Sequence, residues 1–209
     1  NKAFEVIAPT SLVEIEPFAF YNSSINKFVG NTNLAKIGDY AFAISKISYV
    51  DWNNAKLNVL PKYCFAFTTD LTYIDIPQTV EKIDVACFLN ANKLKEVNFE
   101  ENSQVKELAA ASFYETTGNT NGIKINLPHS IEKIDTYALY NSFINYSQLG
   151  TFNKLTYIGD FALSYNNGTY ADKFKSNSIA IIPENVKYVG YKALGYDTNN
   201  YNNPSNRIC

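Results

Sequence analysis

The 209-residue chain has no methionine, one histidine, one tryptophan and three cysteines. Each shortage excludes something. A lone histidine, His129, has no G-x-S-x-G or H-E-x-x-H around it, so neither a hydrolytic triad nor a zinc-protease site is written into the sequence. It follows Pro128 at the exit of a predicted strand and reads as an exposed loop residue. Three cysteines do not make an extracellular disulfide framework. No His, Cys and Asp cluster has metal-ligand spacing, and no glycine-rich cradle for a phosphate or cofactor is present, so no cofactor is expected. With 18 Lys and Arg against 20 Asp and Glu, the net charge is -2. There is no basic field to draw in nucleic acid or an anionic membrane. Apolar runs of only a few residues exclude a membrane-spanning helix within this segment. The chain opens at Asn1 with no visible signal peptide, and we expect a processed or excised fragment of a longer protein, which leaves localisation unread.

What is present is a folded composition, 46% hydrophobic and 18% charged, arranged as a repeat. Its clearest copy runs from Leu71 to Phe88, L-T-Y-I-D-I-P-Q-T-V-E-K-I-D-V-A-C-F. With Ile83 as anchor, equivalent positions are Ile15, Ile37, Leu60, Leu108, Ile134, Ile158 and Val189, spaced by 22, 23, 23, 25, 26, 24 and 31 residues. Three residues before each anchor stands an aliphatic: Leu12, Leu34, Leu57, Val80, Val105, Ile131, Leu155 and Val186. Four after it stands a small residue: Ala19, Ala41, Cys64, Cys87, Ser112, Ala138, Ala162 and Ala193. Five after it stands Phe or Leu: Phe20, Phe42, Phe65, Phe88, Phe113, Leu139, Leu163 and Leu194. The other half of the unit recurs as Ile47-Ser-Tyr-Val-Asp-Trp52, Leu71-Thr-Tyr-Ile-Asp-Ile76 and Leu94-Lys-Glu-Val-Asn-Phe99. Its last residues alternate in and out like a short strand. One unit cannot bury its apolar face alone, but stacked units make a continuous core.

The predicted fold is therefore a repeat solenoid of short β-strands and turns with little helix, about eight repeats long. We expect one solenoid over residues 1–196, opening mid-repeat, and a polar Asn-rich tail over 197–209. Tyr114–Gly122 and Ser164–Ser178 break the period as polar insertions on one edge.

The pattern resembles the BspA-like leucine-rich repeats, close to I-x-I-P-x-x-V-x-x-I-G-x-x-A-F. Ile37-Gly-Asp-Tyr-Ala-Phe42, Ile158-Gly-Asp-Phe-Ala-Leu163 and Ile74-Asp-Ile-Pro77 carry the likeness, which spans residues 3–196. The cysteine that in the family often follows A-F is absent here. The resemblance implies a cell-surface or secreted adhesion protein, with host matrix or cell-surface proteins as partners.

Cys64 and Cys87 share one column on adjacent repeats. Neighbouring rungs about 5 Å apart allow a disulfide, but the column holds Ala elsewhere, so buried thiols are the expectation. Cys209 stands alone near the terminus. Asp39, Asp84, Asp135 and Asp160 follow anchors; without converging oxygen ligands for calcium, they read as turn residues capping backbone N–H groups. Gly38, Gly159 and Gly190 read as turn glycines. Asn22, Asn145 and Asn167 open N-x-S/T triplets, which an Asn-rich chain contains by chance and which matter only in a secreted eukaryotic protein. Phe18, Tyr40, Tyr63, Tyr137 and Phe161 form a column three residues past the anchors, read as partly buried edge packing. Trp52 sits at a strand core position and reads as packing.

The outward strand face is the candidate binding face: Ser48, Tyr49 and Asp51, then Thr72, Tyr73 and Asp75, then Lys95, Glu96 and Asn98, then Lys124 and Asn126. Tyrosines give large contact area at low entropy cost; the same residues also suit a solvated sheet face with cross-strand pairs. The expected function is a non-catalytic protein-interaction module. Two alternatives stand beside it: a carbohydrate-binding module with sugars stacked on exposed aromatics, and the spacer arm of a larger surface protein.

Overall fold

The structure, a computed structural model, describes residues 2–117, 123–142, 146–164 and 181–195, with the side chains of 146–148 left aside. The far parts of both predicted insertions, the polar tail with Cys209, and the Asn145 and Asn167 triplets lie outside the described residues.

Six coils begin with a strand of the L-x-x-I-x-I type. These are β1 (Phe4–Ile7), β3 (Ile25–Val29), β5 (Tyr49–Asp51), β7 (Tyr73–Ile76), β9 (Glu96–Phe99) and β11 (Lys124–Ile125). The anchor strands are β2 (Glu14–Ile15), β4 (Lys36–Ile37), β6 (Val59–Leu60), β8 (Lys82–Ile83), β10 (Glu107–Leu108), β12 (Lys133–Ile134), β13 (Tyr157–Ile158) and β14 (Tyr188–Val189). A 3-10 helix, Tyr146–Thr151, takes the place of the first strand in one coil. All strand pairs are parallel. The anchors lie in mutual register, with Ile15 opposite Ile37 and Leu60, Ile83, Leu108, Ile134, Ile158 and Val189 in one continuous row. The sequence anchors are therefore the structural ones.

The residues four and five past each anchor point into the core. Phe42, Phe65, Phe88 and Phe113 are fully buried, and with Phe20 they stack with ring centroids 5.2, 5.3, 5.3 and 4.9 Å apart. This offset-parallel column follows from the in-register stacking of one sequence position, and each buried ring is worth roughly 1.5–3 kcal/mol. The small residues of the preceding column are buried except Ala19 in the first coil. Val189, the last anchor, is also exposed, because the described coils give it no neighbour on its outer side.

The segment after each anchor is held by two kinds of backbone bond in alternation. The amide five past the anchor donates to the next coil: Phe42 to the Cys64 carbonyl at 2.9 Å, Phe65 to Cys87 at 2.8 Å, Phe88 to Ser112 at 2.8 Å and Phe113 to Ala138 at 2.8 Å. The amides on either side close local turns, as Ala41 to Gly38 and Ala43 to Tyr40. The alternation requires left-handed backbone three and seven residues past the anchor. Tyr40, Tyr63, Ala86, Ala111, Tyr137 and Phe161 hold φ between 53° and 59° at the first position. Asn22, Ile44, Phe67, Asn90, Glu115 and Asn141 hold φ between 50° and 59° at the second. For a non-glycine residue each such φ costs about 1–2 kcal/mol. At the first position part of that cost is offset by stacking, with Phe18–Tyr40, Tyr40–Tyr63 and Tyr137–Phe161 centroids 4.9, 4.6 and 4.9 Å apart. The aromatic column is half-buried as expected, except Phe18, which is 54% exposed.

The three glycines each open a local turn, accepting from the amides of Ala41, Ala162 and Ala193, but none has a positive φ; what they supply beyond the turn is clearance between coils. A Cβ on Gly159 would fall onto Thr136 N and 2.7 Å from the Asp135 carbonyl carbon. One on Gly38 would meet the Pro17 backbone, and one on Gly190 the Asp160 backbone. Glu16, Pro61, Asp84, Ala109 and Asp135 occupy the same position in the other coils, so the close approach belongs to these three. Gly159→Ala should cost about 1–3 kcal/mol, the range of overpacked sites, and lower the thermal unfolding midpoint followed by circular dichroism. An unchanged midpoint would mean the coils simply move apart.

Candidate interaction face

The in/out alternation of the first strands places their side chains. Val50, Ile74, Val97 and Ile125 turn inward and are buried, while the positions between them face solvent. All eleven residues of the sequence-derived face are exposed or half-exposed. Tyr73, Glu96 and Lys124 lie opposite one another across β7, β9 and β11, as do Asp75 and Asn98. Tyr49 lies opposite Lys27, itself near Glu5. Ser48, Thr72, Lys95 and Asn126 complete the surface at its margins.

Away from its middle the face is charge-balanced. Lys27 pairs with Glu5 at 3.6 Å and lies 5.7 Å from the centre of the Tyr49 ring, and Lys124 pairs with Glu96. Exposed pairs of this kind contribute about 0–1 kcal/mol each; their main effect is to spread the charge.

The middle is different. The first-strand sheet is interrupted between β5 and β7: β1, β3 and β5 form one ladder and β7, β9 and β11 another. Trp52 fills the break. Its ring is buried against Phe28 and Phe65, and its indole N–H donates to the Asp75 carbonyl at 2.8 Å. The turn after Trp52 is one residue longer than the turn after Ile76, counted to the anchor, and Asn53 and Asn54 take the extra length in left-handed conformation, φ 49° and 58°. The result is a groove of about 270 Å³, lined by Tyr49, Val50, Asp51, Trp52, Asn53, Asn54, Tyr73, Asp75 and Glu100.

Tyr49 is 48% exposed and Tyr73 39%. The Tyr73 hydroxyl donates to Asp75 Oδ1, which also accepts from Asn98 Nδ2 at 2.9 Å. The carboxylate holds the phenol proton in place and pushes the Tyr73 pKa up to about 12. Asp51 Oδ1 accepts from the Asn53 amide at 2.8 Å and Glu100 Oε2 from the Gln78 amide at 3.0 Å. The sequence reading named Tyr49, Asp51, Tyr73 and Asp75. It missed Asn53 and Asn54, whose only sign was the lengthened turn, and Glu100, which follows β9, and it read Trp52 as packing alone.

The other candidates resolve simply. Cys64 and Cys87 are free and fully buried, and burial pushes both thiols well up from their ordinary value. Asp84, Asp135 and Asp160 cap the amides of Val85, Thr136 and Tyr191 at 2.8, 2.7 and 2.8 Å; no such cap is seen for Asp39. His129 is exposed, its ring 6.0 Å from that of Phe152. Among the described residues no group of three or more His, Cys, Asp or Glu is placed to hold a metal ion. No described helix is long and apolar enough to cross a membrane.

Parallel coils with a buried ladder of repeated side chains and a polar strand face define a leucine-rich repeat protein, a scaffold that presents an extended interaction surface. The chain belongs to the BspA-type leucine-rich repeat family, whose model matches residues 2–120 and 102–200 in six copies. A leucine-rich repeat protein from Bacteroides ovatus ATCC 8483, known from its crystal structure, is similar at 18% identity and a TM-score of 0.47. That similarity covers 90% of this chain and 63% of the other, so the chain spans less than two thirds of that protein. A search among curated proteins finds no match.

Replacing Asp75 by Asn removes the charge that disfavours the phenolate, and Tyr73 should then titrate nearer its ordinary value of 10.0. Carbon-13 NMR of labelled tyrosine reads this directly; an unmoved Tyr73 would place the cause elsewhere.

Proposed function

We propose that this chain is the interaction module of a cell-surface or secreted adhesion protein, binding host or neighbouring-cell proteins through the strand face and its edges. The observation that carries the reading is the pair Tyr49 and Tyr73, exposed on consecutive coils on either side of the groove. The other exposed apolar side chains on the first strands, Phe4 and Ile7, lie on the end strand β1, and an exposed aromatic pair flanking a cleft is the kind of anchor that dominates protein interfaces. The scaffold beneath is independent of these two rings: the anchor row and the Phe column lie in other parts of each coil. Affinity is then spread over the polar margin, with one or two aromatic positions dominant.

A carbohydrate would use the same tyrosines, stacking on their rings and bonding to the polar groups of the groove.

The test is capture of soluble extracellular-matrix proteins and of intact host cells on immobilised protein. Tyr49→Ala with Tyr73→Ala should lower capture at least tenfold, as hot-spot truncation does at about 1.4 kcal/mol per tenfold, while the melting temperature shifts little. Capture equal to that of the unaltered chain would remove this face from consideration.

A further inference from the structure

The groove between β5 and β7 has a chemistry that narrows its occupant. Three carboxylates, Asp51, Asp75 and Glu100, line it with two tyrosine rings, and no Lys or Arg is among the lining residues. Among the described residues none of the three is in an ion pair, whereas Glu5, and Glu81, Glu96 and Glu107 on the same coils as Asp75 and Glu100, each have a lysine of a neighbouring coil. Glu14 and Asp70 meet such lysines too. The three groove carboxylates gather without one where the first-strand ladder is interrupted and Trp52 fills the break.

Each carboxylate has one oxygen fixed by a neutral donor: the Asn53 amide for Asp51, the Gln78 amide for Glu100, and the Tyr73 hydroxyl and Asn98 amide for Asp75. Neutral donors orient the groups without cancelling their charge. The site therefore presents negative charge and two aromatic rings in a cleft the size of one long side chain.

We propose that this groove receives an arginine side chain of a protein partner. A guanidinium is planar, stacks on tyrosine faces, and offers a fork of donors that matches carboxylate oxygens. Charge complementarity selects a cation, and the ring pair selects a flat one over the compact ammonium of lysine. The proposal rests on the strand face being the binding surface, and it adds the chemical identity of what the face reads there.

The chain carries a single tryptophan, so its indole N–H resonance reports on the groove alone. The 209-residue protein is titrated with N-acetyl-arginine amide, with the neutral isostere N-acetyl-citrulline amide, and with N-acetylglucosamine. Arginine should shift the Trp52 indole resonance saturably, with citrulline at least roughly fivefold weaker, as loss of exposed ionic and cation–π contacts implies. Asp51→Asn with Glu100→Gln keeps the size of both side chains and their capacity to accept from the Asn53 and Gln78 amides, and should weaken the arginine response by a similar factor at an unchanged melting temperature. Equal responses to arginine and citrulline, an arginine response unaltered in the double variant, or no arginine response would each overturn the proposal. A response to the sugar alone would overturn it in favour of a glycan. The face reading fails separately: arginine binding with capture untouched by the tyrosine substitutions removes the face, and reduced capture with no arginine response keeps the face and removes this occupant.

Discussion

A coil of this chain cannot satisfy its own backbone. Its strands are two to five residues long, and an unpaired buried amide or carbonyl costs about 1–3 kcal/mol. The donors and acceptors must be passed to the coils on either side, so consecutive coils have to lie in parallel and in register. The rest of the structure depends on that condition. It brings Ile83 between Leu60 and Leu108, stacks Phe65 between Phe42 and Phe88, and keeps the column beside them small so that the coils can close. It also explains the strained backbone. Alternating amides go to the next coil and to local turns, and only left-handed residues at two fixed offsets allow both.

The same condition shows where the scaffold gives way. At β5 and β7 the ladder is broken, an indole N–H takes one carbonyl in its place, and the following turn is lengthened by a residue. The groove arises where repetition fails, and it gathers exposed tyrosines and carboxylates without lysine partners into one place. Core and surface are separable here because the pleat sends alternate side chains to opposite sides. Residues such as Thr72, Tyr73 and Asp75 are thus free to vary without disturbing Leu71, Ile74 and Ile76.

Legibility in the sequence divides along the same line. The anchor row, the small column and the Phe column were readable because stacking requires equivalent residues at each turn, and repetition leaves its mark on a single sequence. The outward residues were readable by subtraction from that pattern. The left-handed positions three past the anchor were not, because Tyr, Phe and Ala hold them in place of the Gly or Asn that would have signalled them, and at the second position Asn22, Asn90 and Asn141 alternate with Ile44, Phe67 and Glu115. Gly38, Gly159 and Gly190 were visible, but as turn residues; that they make room for the neighbouring coil's backbone depends on a distance between segments some twenty residues apart.

The sequence by itself determined the coil length, the core columns and which side chains face solvent, since all three follow from local periodicity. Only the tertiary structure decided that two neighbouring coils do not pair through their first strands, that Trp52 seals the gap, and that Asn53, Asn54 and Glu100 join Tyr49 and Tyr73 around one cleft. Those are relations between neighbouring coils. They depend on how each coil sits on the one before it, and a pattern within one coil cannot carry that information.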